Sequence, residues 1–520
     1  MVLSASGRYS QLEGERHPFL TRARAASRLT IPALMPPEGT TGATNLYQPF
    51  QGIGARGLNN LAAKLLLALF PPNSPFFRLV IDDFTLERMT QREGMRGEVE
   101  KTLNKIERSV QTEIETTAIR VQAFEALKQL IVAGNVLLFL MPKGGMRVFT
   151  LDRYVILRDP MGNVLQIITK ENVSASVLPP EVQRALPKEK ETMSNGKSPE
   201  KTLELFTIIE RTPTKWTIRQ EIKGLVMPGS VGWYPLDKCP WIPLRWTSVD
   251  GESYGRGFVE EHIGDLRSLE ALTKAIVEGS AAAAKVLFLV NPNGTTSLKT
   301  LTEAPSGAVR SGNAQDVSVL QLDKYADFRV AMETVQRIEQ RLSMAFMLNS
   351  SVQRNGERVT AEEIRFVASE IDDGFGGVYS LLSQEFQLPL VTNLMATMEQ
   401  SKRLPRLPKG IIRPAITTGL EALGRGHDLN KLDALVQGIG QLFGPEALAQ
   451  AVNVGEYITR RGTALGIDMS GLVRSPEEQA QAQQQAQMQA MMEKLGPSGM
   501  NIIRDQMDPR NQQDGQSAPQ

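Results

Sequence analysis

Apolar residues recur along this chain with two different periods, and the changes between them divide it. Leucines at 58, 61, 65 and 69 share one helical face, and Pro71-Pro72-Asn73-Ser74-Pro75 stops that helix. Ahead of it lie a polar, Arg-rich beginning and the run Ile31-Pro32-Ala33-Leu34-Met35-Pro36-Pro37-Glu38-Gly39, whose prolines predict a loop-rich, extended path. From about Leu86 to Leu130, Glu, Lys, Arg and Gln surround apolar residues at helical intervals. Gly134-Asn135 then marks the change to the apolar run Val136 to Met141. Long helices followed by a strand are expected.

Between Met146 and Thr247 the period becomes two. Arg147 to Leu151, Tyr154 to Leu157 and Leu165 to Thr169 alternate as strands do, with Asp159-Pro160-Met161-Gly162 as a turn. Residues 185–202 are polar and charged, and Leu205 to Glu210 and Trp216 to Ile222 resume the strand pattern. The middle of the chain therefore reads as a β-rich region with one long surface loop, and all four tryptophans, Trp216, Trp233, Trp241 and Trp246, fall in its second half.

Helical spacing returns after Tyr254. Leu266, Leu269, Leu272 and Ile276 form one stripe, and a helix over 255–286 would be ~48 Å long. A small α/β excursion follows, with the apolar run Val286 to Val290, the turn Asn291-Pro292-Asn293-Gly294, and Val317 to Leu320 returning. A second helix over 325–348 places Phe328, Met332, Val335, Ile338, Leu342 and Phe346 on one face. Next come a polar loop, Ser350 to Val359, and the capping-box sequence Thr360-Ala361-Glu362-Glu363, opening a helix expected to be interrupted at Gly374 to Gly377. Residues 417–473 predict short helices punctuated by glycine. The Gln/Ala/Met run beyond Ser475 predicts a fraying helix and then a low-complexity tail.

Composition narrows the function classes. At 520 residues there is length for about three domains. Lys plus Arg number 58 against 57 Asp plus Glu, so the chain does not coat nucleic acid through bulk charge. The single cysteine, Cys239, has no partner for a disulfide or a zinc knuckle, which fits a reducing compartment. Met1 to Arg24 carries no apolar signal segment. Leu61 to Phe70 and Leu130 to Met141 fall short of the ~20 apolar residues that cross a bilayer, so no membrane contact is expected.

Few motifs carry chemistry. Gly52-Ile53-Gly54-Ala55-Arg56-Gly57 matches the dinucleotide fingerprint G-x-G-x-x-G, yet Tyr47-Gln48-Pro49-Phe50 before it is no strand, and a flexible turn before a packed helix fits as well. Gly196-Lys197-Ser198 resembles the end of a phosphate loop, but Glu191 stands where its first glycine is needed, so any motor belongs to a partner. His17, His262 and His427 are isolated, and Glu260-Glu261, Glu362-Glu363 and Asp372-Asp373 are adjacent pairs that point to different sides of a helix. No catalytic set, cofactor or metal site is expected. Arg354 and Arg358 differ: they sit in a polar, Gly-containing loop beside two long helices, where cations can approach a phosphate backbone, although an ordinary exposed loop also fits. In a ring each would become a belt of positive charge.

Several segments together resemble the portal, or head-to-tail connector, family of short-tailed double-stranded DNA bacteriophages. They are Gly54 to Ala62, Leu127 to Leu130 with Ala133 to Leu138, and Asp250-Gly251-Glu252-Ser253-Tyr254-Gly255-Arg256-Gly257. Further along they are Gly264 to Glu270, Ala345 to Ser350, Gly356 to Arg365 and Gln387-Leu388-Pro389-Leu390-Val391. The likeness runs from about Tyr9 to about Arg474 and fails in the tail.

The resemblance implies an α+β, mainly helical portal-type fold assembled as a ring. It divides the chain into a wing over 1–254, a first stem helix over 255–286, a small α/β clip over 287–324 and a second stem helix over 325–348. A tunnel loop with wing helices over 349–414, a crown over 415–475 and a Gln-rich tail over 476–520 follow. It implies no enzymatic activity. The partners it implies are further copies of the chain, usually twelve in all, and double-stranded DNA held without sequence preference. A terminase large subunit, tail adaptor and tail proteins, scaffolding and major capsid proteins and internal core proteins complete the set. The place implied is the capsid portal vertex of the virion, after synthesis in the host cytoplasm. It assigns Arg358 and Arg354, with Asn349 and Gln353 of the same loop, to contact with DNA in the channel. Two other classes stay open on the residues alone: a nucleotide-binding enzyme using Gly52 to Gly57, and a filament or membrane-associated scaffold built on the long helices.

Overall fold

The computed structural model describes residues 4–71, 76–81, 95–185, 202–283, 287–320, 325–348, 374–405, 412–416 and 433–442, with isolated positions up to 461. The chain forms two units, Met1–Ala422 and Leu423–Gln520. In the second unit, residues 433–442 are helical, and Asp433 accepts a hydrogen bond from the Tyr457 hydroxyl at 2.5 Å and pairs with Arg461 at 3.3 Å.

The first unit begins with a helix in the polar, Arg-rich segment, to which the sequence pattern assigned no element, and the run Ile31 to Gly39 that follows is free of helix and strand, as its prolines predict. Helix α1 (Ala5–Leu29) buries Ala5, Tyr9, Leu12, Leu20 and Ala23 along one side and carries Pro18 within it. Its stripe is disguised by Arg16, which is 3% exposed and whose guanidinium donates to the carbonyls of Leu151, Asp152 and Tyr154. Helix α2 (Ile53–Leu69) buries the expected leucine face. Strand β1 (Phe77–Ile81) follows, then helices α3 (Met95–Thr116) and α4 (Ile119–Ala133).

The β-rich region is two sheets. Strands β2 (Asn135–Leu140) and β3 (Met146–Phe149) belong to the first. Strands β4 (Tyr154–Arg158), β5 (Val164–Ser174), β6 (Thr202–Arg211), β7 (Lys215–Ile222), β8 (Leu225–Val226) and β9 (Gly232–Pro235) form an antiparallel sheet of six, with a short helix, α5 (Pro180–Ala185), between β5 and β6. The first sheet is completed by β10 (Trp241–Arg245), which pairs with β2 from Trp241 opposite Phe139 to Arg245 opposite Asn135. Helix α1 covers one face of the larger sheet through Tyr9, Leu12, Val155, Ile168, Phe206 and Ile208. Residues 186–201, the expected surface loop, lie outside the described residues.

Beyond the sheets come α6 (Phe258–Glu261), α7 (Ile263–Ala283), β11 (Leu287–Val290), α8 (Leu298–Thr302), β12 (Val317–Leu320) and α9 (Tyr325–Ala345). The helix expected over 255–286 is thus divided: α6 closes at His262, and α7 starts afresh. Residues 374–382 form one continuous helix, α10, so no break falls between Gly374 and Gly377, while the first part of the expected helix, 360–373, lies outside the described residues. The irregularity lies further on, in a π-helical turn over Ser383–Gln387 that leads into α11 (Leu388–Gln400). Pro389 gives the reason. It has no N–H to donate to the Glu385 carbonyl, and its ring would strike that carbonyl in a regular helix, so the wider turn accommodates it. Strand β13 (Ile412–Ile416) pairs with β1.

One core joins α2, α3, α4, β2, β10, the inner ends of α7 and α9, and α10 to α11. Close backbone crossings explain Gly134, Gly255 and Gly257. Gly134, at φ +71°, has no room for a side chain: a Cβ there would lie 2.4 Å from the backbone of Arg256 and Gly257. Asn135 fastens the crossing, donating to the Gly255 carbonyl and accepting from the Gly255 amide, each at 2.7 Å.

Candidate DNA-channel hairpin

Helices α7 and α9 form an antiparallel hairpin whose base is in the core and whose outer half is not. At the base, Leu266 and Leu269 of α7 meet Ile338, Leu342 and Phe346, all buried, and Asp265 pairs with Arg341 at 2.8 Å. At the far end, Gly279 faces the ring of Phe328. Between these ends the contact thins, with Leu272 and Val335 only partly buried. Val277, Val330 and Met332 are at least half exposed, although they stand in helices of 21 residues each. Charges on the outer surface alternate in sign, with Lys274 paired to Glu278 and Arg337 to Glu333.

The tip is a two-stranded sheet, β11 against β12, from Leu287 opposite Leu320 to Val290 opposite Val317. Its turns are tied by one carboxylate. Asp316 Oδ2 accepts from the amides of Thr295 and Thr296 at 2.8 and 3.1 Å and from both threonine hydroxyls at 3.1 Å. Desolvation raises the Asp316 pKa, but hydrogen bonds from Thr296 and Thr295 outweigh it and hold the group below its ordinary value. The neighbouring tip surface is neutral and partly apolar, with Leu289, Leu298 and Val309 more than half exposed.

At its base, α9 ends in a Schellman motif. The Leu348 amide donates to the Ser343 carbonyl at 2.7 Å and the Met347 amide to the Met344 carbonyl at 3.0 Å, with Met347 left-handed at φ 53°. Two carbonyls at this terminus are taken by side chains of α2: Asn60 Nδ2 donates to Phe346 and Met347 at 3.0 Å, and Lys64 Nζ donates to Met347 at 2.9 Å. A cation at a helix C-terminus also complements the helix dipole. The four residues expected to meet DNA, Asn349, Gln353, Arg354 and Arg358, follow at once in sequence and lie outside the described residues. The described chain stops at Leu348 and resumes at Gly374, where an added Cβ would sit 3.0 Å from Met347 Cε, so both ends of the intervening segment are at the base of the hairpin.

The G-x-G-x-x-G match is a packing motif. Gly54 passes the Leu29 carbonyl and Gly57 passes Phe346, where added Cβ atoms would lie 2.4 and 2.6 Å away. The amides that lead into α2 already have an anion: Glu270 Oε1 accepts from Phe50 N at 3.0 Å and from the Tyr47 hydroxyl at 2.5 Å, and Oε2 accepts from Gln51 N at 3.2 Å. The Gly54 amide donates to Gln51 Oε1 at 2.8 Å. A carboxylate of the chain itself stands near where a dinucleotide would bring its pyrophosphate. Among the described residues, no three His, Cys, Asp or Glu side chains cluster as metal ligands, and no helix is long and apolar enough to cross a membrane. Burial pushes the Cys239 thiol up to about 12, so it is no thiolate nucleophile at neutral pH.

Sequence reasoning missed Asn60, Lys64, Glu270 and Asp316. The first three had a signal: each is a polar residue on the otherwise apolar, buried face of a helix.

The sequence of this chain matches a family model. The family is described as bacteriophage head to tail connecting protein, and the match covers residues 3–473. The chain belongs to that family. It is 44% identical over 480 residues to the portal protein of Escherichia phage T7, covering 91% of this chain and 88% of that one. To the portal protein of Enterobacteria phage T3 it is 43% identical over 484 residues, covering 92% and 89%. With the portal protein of Enterobacteria phage SP6 it shares 30% identity over 494 residues, covering 91% and 92%.

Proposed function

We propose that this chain is a portal subunit. It assembles as a closed ring of about twelve copies at one capsid vertex, and its channel admits genomic double-stranded DNA during packaging and releases it at ejection. In this reading α7 and α9 are the stem, the sheet of β11 and β12 with its loops is the clip, and residues 415–475 are the crown. A separate terminase large subunit drives the DNA and docks on the clip, which later receives tail adaptor and tail proteins. Scaffolding, major capsid and internal core proteins meet the rest of the ring.

The observation that carries the proposal is the outer half of the hairpin. Two helices that expose Val277, Val330 and Met332 and end in an isolated two-stranded sheet bury too little to be stable alone, and neighbours on either side supply the missing cover. Alternating charge on the stem suits a surface along which a polyanion slides without being held.

Arg354 and Arg358, with Asn349 and Gln353, are proposed to meet the phosphates, since they continue from the end of α9. Native mass spectrometry with electron-microscope class averages tests the assembly. Closed rings of about a dozen copies with a central hole are expected, and a stable monomer or dimer at capsid-like concentration overturns the proposal.

A further inference from the structure

Helix α2 and the segment that leads into it touch both stem helices through buried polar groups. Toward α7, the residues that lead into α2 donate to Glu270, which is only 7% exposed. Gln51 continues this contact inward, with Nε2 on the Leu29 carbonyl at 2.6 Å and Oε1 on the Gly54 amide. Toward α9, Gly57, Asn60 and Lys64 lie on one face of α2, the first against the Phe346 ring and the other two on the terminal carbonyls. The far end of α2 is gripped as well: the Tyr379 hydroxyl donates to the Ala68 carbonyl at 3.1 Å and Gln387 Nε2 to the Leu69 carbonyl at 2.5 Å.

Apolar contacts are non-directional, whereas the bonds from the Lys64 ammonium and to the Glu270 carboxylate depend on both distance and angle, and weakening one in a buried site is costly. The left-handed Met347 adds to this, since a non-glycine residue holds that conformation only where its surroundings over-determine it.

We infer that α2 is a crossbar that locks the tilt of one stem helix to the other, with Glu270, Asn60 and Lys64 as its positioning residues. A stem that moves then moves as one body, and displacement at one helix is passed through α2 to the other and to α10. The inference rests on the portal reading only in naming these helices the stem.

Hydrogen exchange on the full-length chain, with fragmentation to single amides, separates the two contacts. The amides of Phe50 and Gln51 report on the Glu270 contact, and those of Met347 and Leu348 report on the α9 terminus. Glu270→Gln should speed exchange at Met347 and Leu348, and Lys64→Met should speed it at Phe50 and Gln51, each by about tenfold. The coupling must be reciprocal. Asn60→Asp, of the same shape but unable to donate, is expected to act as Lys64→Met does. Amides of Ile168 and Ile208 in the large sheet serve as the internal standard and should not change. Far reporters that stay at wild-type rates, or that accelerate only together with Ile168 and Ile208, overturn the crossbar. A chain that failed to form rings would instead overturn the portal reading and leave these rates as they are.

Discussion

Gly57 on α2 lies directly against Phe346 at the end of α9: a Cβ added at 57 would stand 2.6 Å from the ring's Cγ and 2.8 Å from the Phe346 Cβ. These are the inner atoms of a fully buried side chain, which rotation of the ring cannot move aside. Gly57→Ala gains about 1 kcal/mol of helix propensity and incurs about 1–3 kcal/mol of overpacking. A net loss is expected, read as a lower thermal midpoint of the full chain. Measured in a Phe346→Ala background, which removes the Cγ, the loss caused by Gly57→Ala should shrink. Were the glycines a dinucleotide loop, Gly57→Ala would alter nucleotide binding and the Phe346→Ala background would not change that effect.

The tip should loosen in acid. Asp316 is held below its ordinary value of 3.8, so its bonds to Thr295 and Thr296 stabilise the loop fully above that pH. They are lost as the pH falls through the depressed folded value. Hydrogen exchange at the Thr295 and Thr296 amides, corrected for the intrinsic pH dependence, is expected to show protection falling only below about pH 4. Asp316→Asn should give weak protection that no longer changes with pH over that range. Protection in Asp316→Asn equal to wild type would show that the tip is ordered by other contacts.

A buried charge group joins the two sheets to the π-helical turn. Arg245, on β10, donates to Glu385 at 2.8 Å, while Arg158 donates to the carbonyls of Gly162 and Pro243. Desolvation, and then the nearby Arg245, push the Arg158 pKa down to about 10, so this site is already rich in positive charge. Glu385→Gln removes the carboxylate that pairs with Arg245 and should destabilise the chain by about 3 kcal/mol, measured by denaturant unfolding. The double change Arg245→Met with Glu385→Leu removes both charges and should cost less than Glu385→Gln alone. A larger loss in the double variant would mean that packing, not charge, decides the site.

The two long helices were legible because their apolar stripes face a single core: Leu266 and Leu269 on one, Ile338, Leu342 and Phe346 on the other. The strand pattern of the middle region was legible for the same reason. Helix α1 was not, because its buried side includes Arg16, and the carbonyls that make that burial affordable belong to Leu151, Asp152 and Tyr154, far away in sequence. The interruption assigned to Gly374 and Gly377 belongs instead to Pro389, whose effect falls four residues earlier on the helix. Glycine allows a break but does not require one. In the candidate site, the polar grips of Asn60, Lys64 and Glu270 were hidden for the reason that hid Arg16: a buried polar residue is explained by its partner, and the partner is distant.

Loss of the Arg358 charge should impair the holding of DNA more than the assembly of the ring. In the proposed ring the exposed outer half of α7 and α9 would meet neighbouring subunits, whereas Arg358, which follows the end of α9 in sequence, would recur once per subunit around the axis. A belt of such charges engages phosphates without reading bases, because sequence readout would stall a translocating duplex. Arg358→Ala is therefore expected to give rings of unchanged symmetry and particles that retain less DNA. Arg358→Lys should retain most of what wild type retains, since a phosphate contact needs charge more than it needs the guanidinium fork. Raising the salt should shrink the difference between wild type and Arg358→Ala, because the lost term is electrostatic and is screened. Equal retention by Arg358→Ala and wild-type particles at low salt would remove Arg358 from the channel contact and leave Arg354 to be tested in the same way.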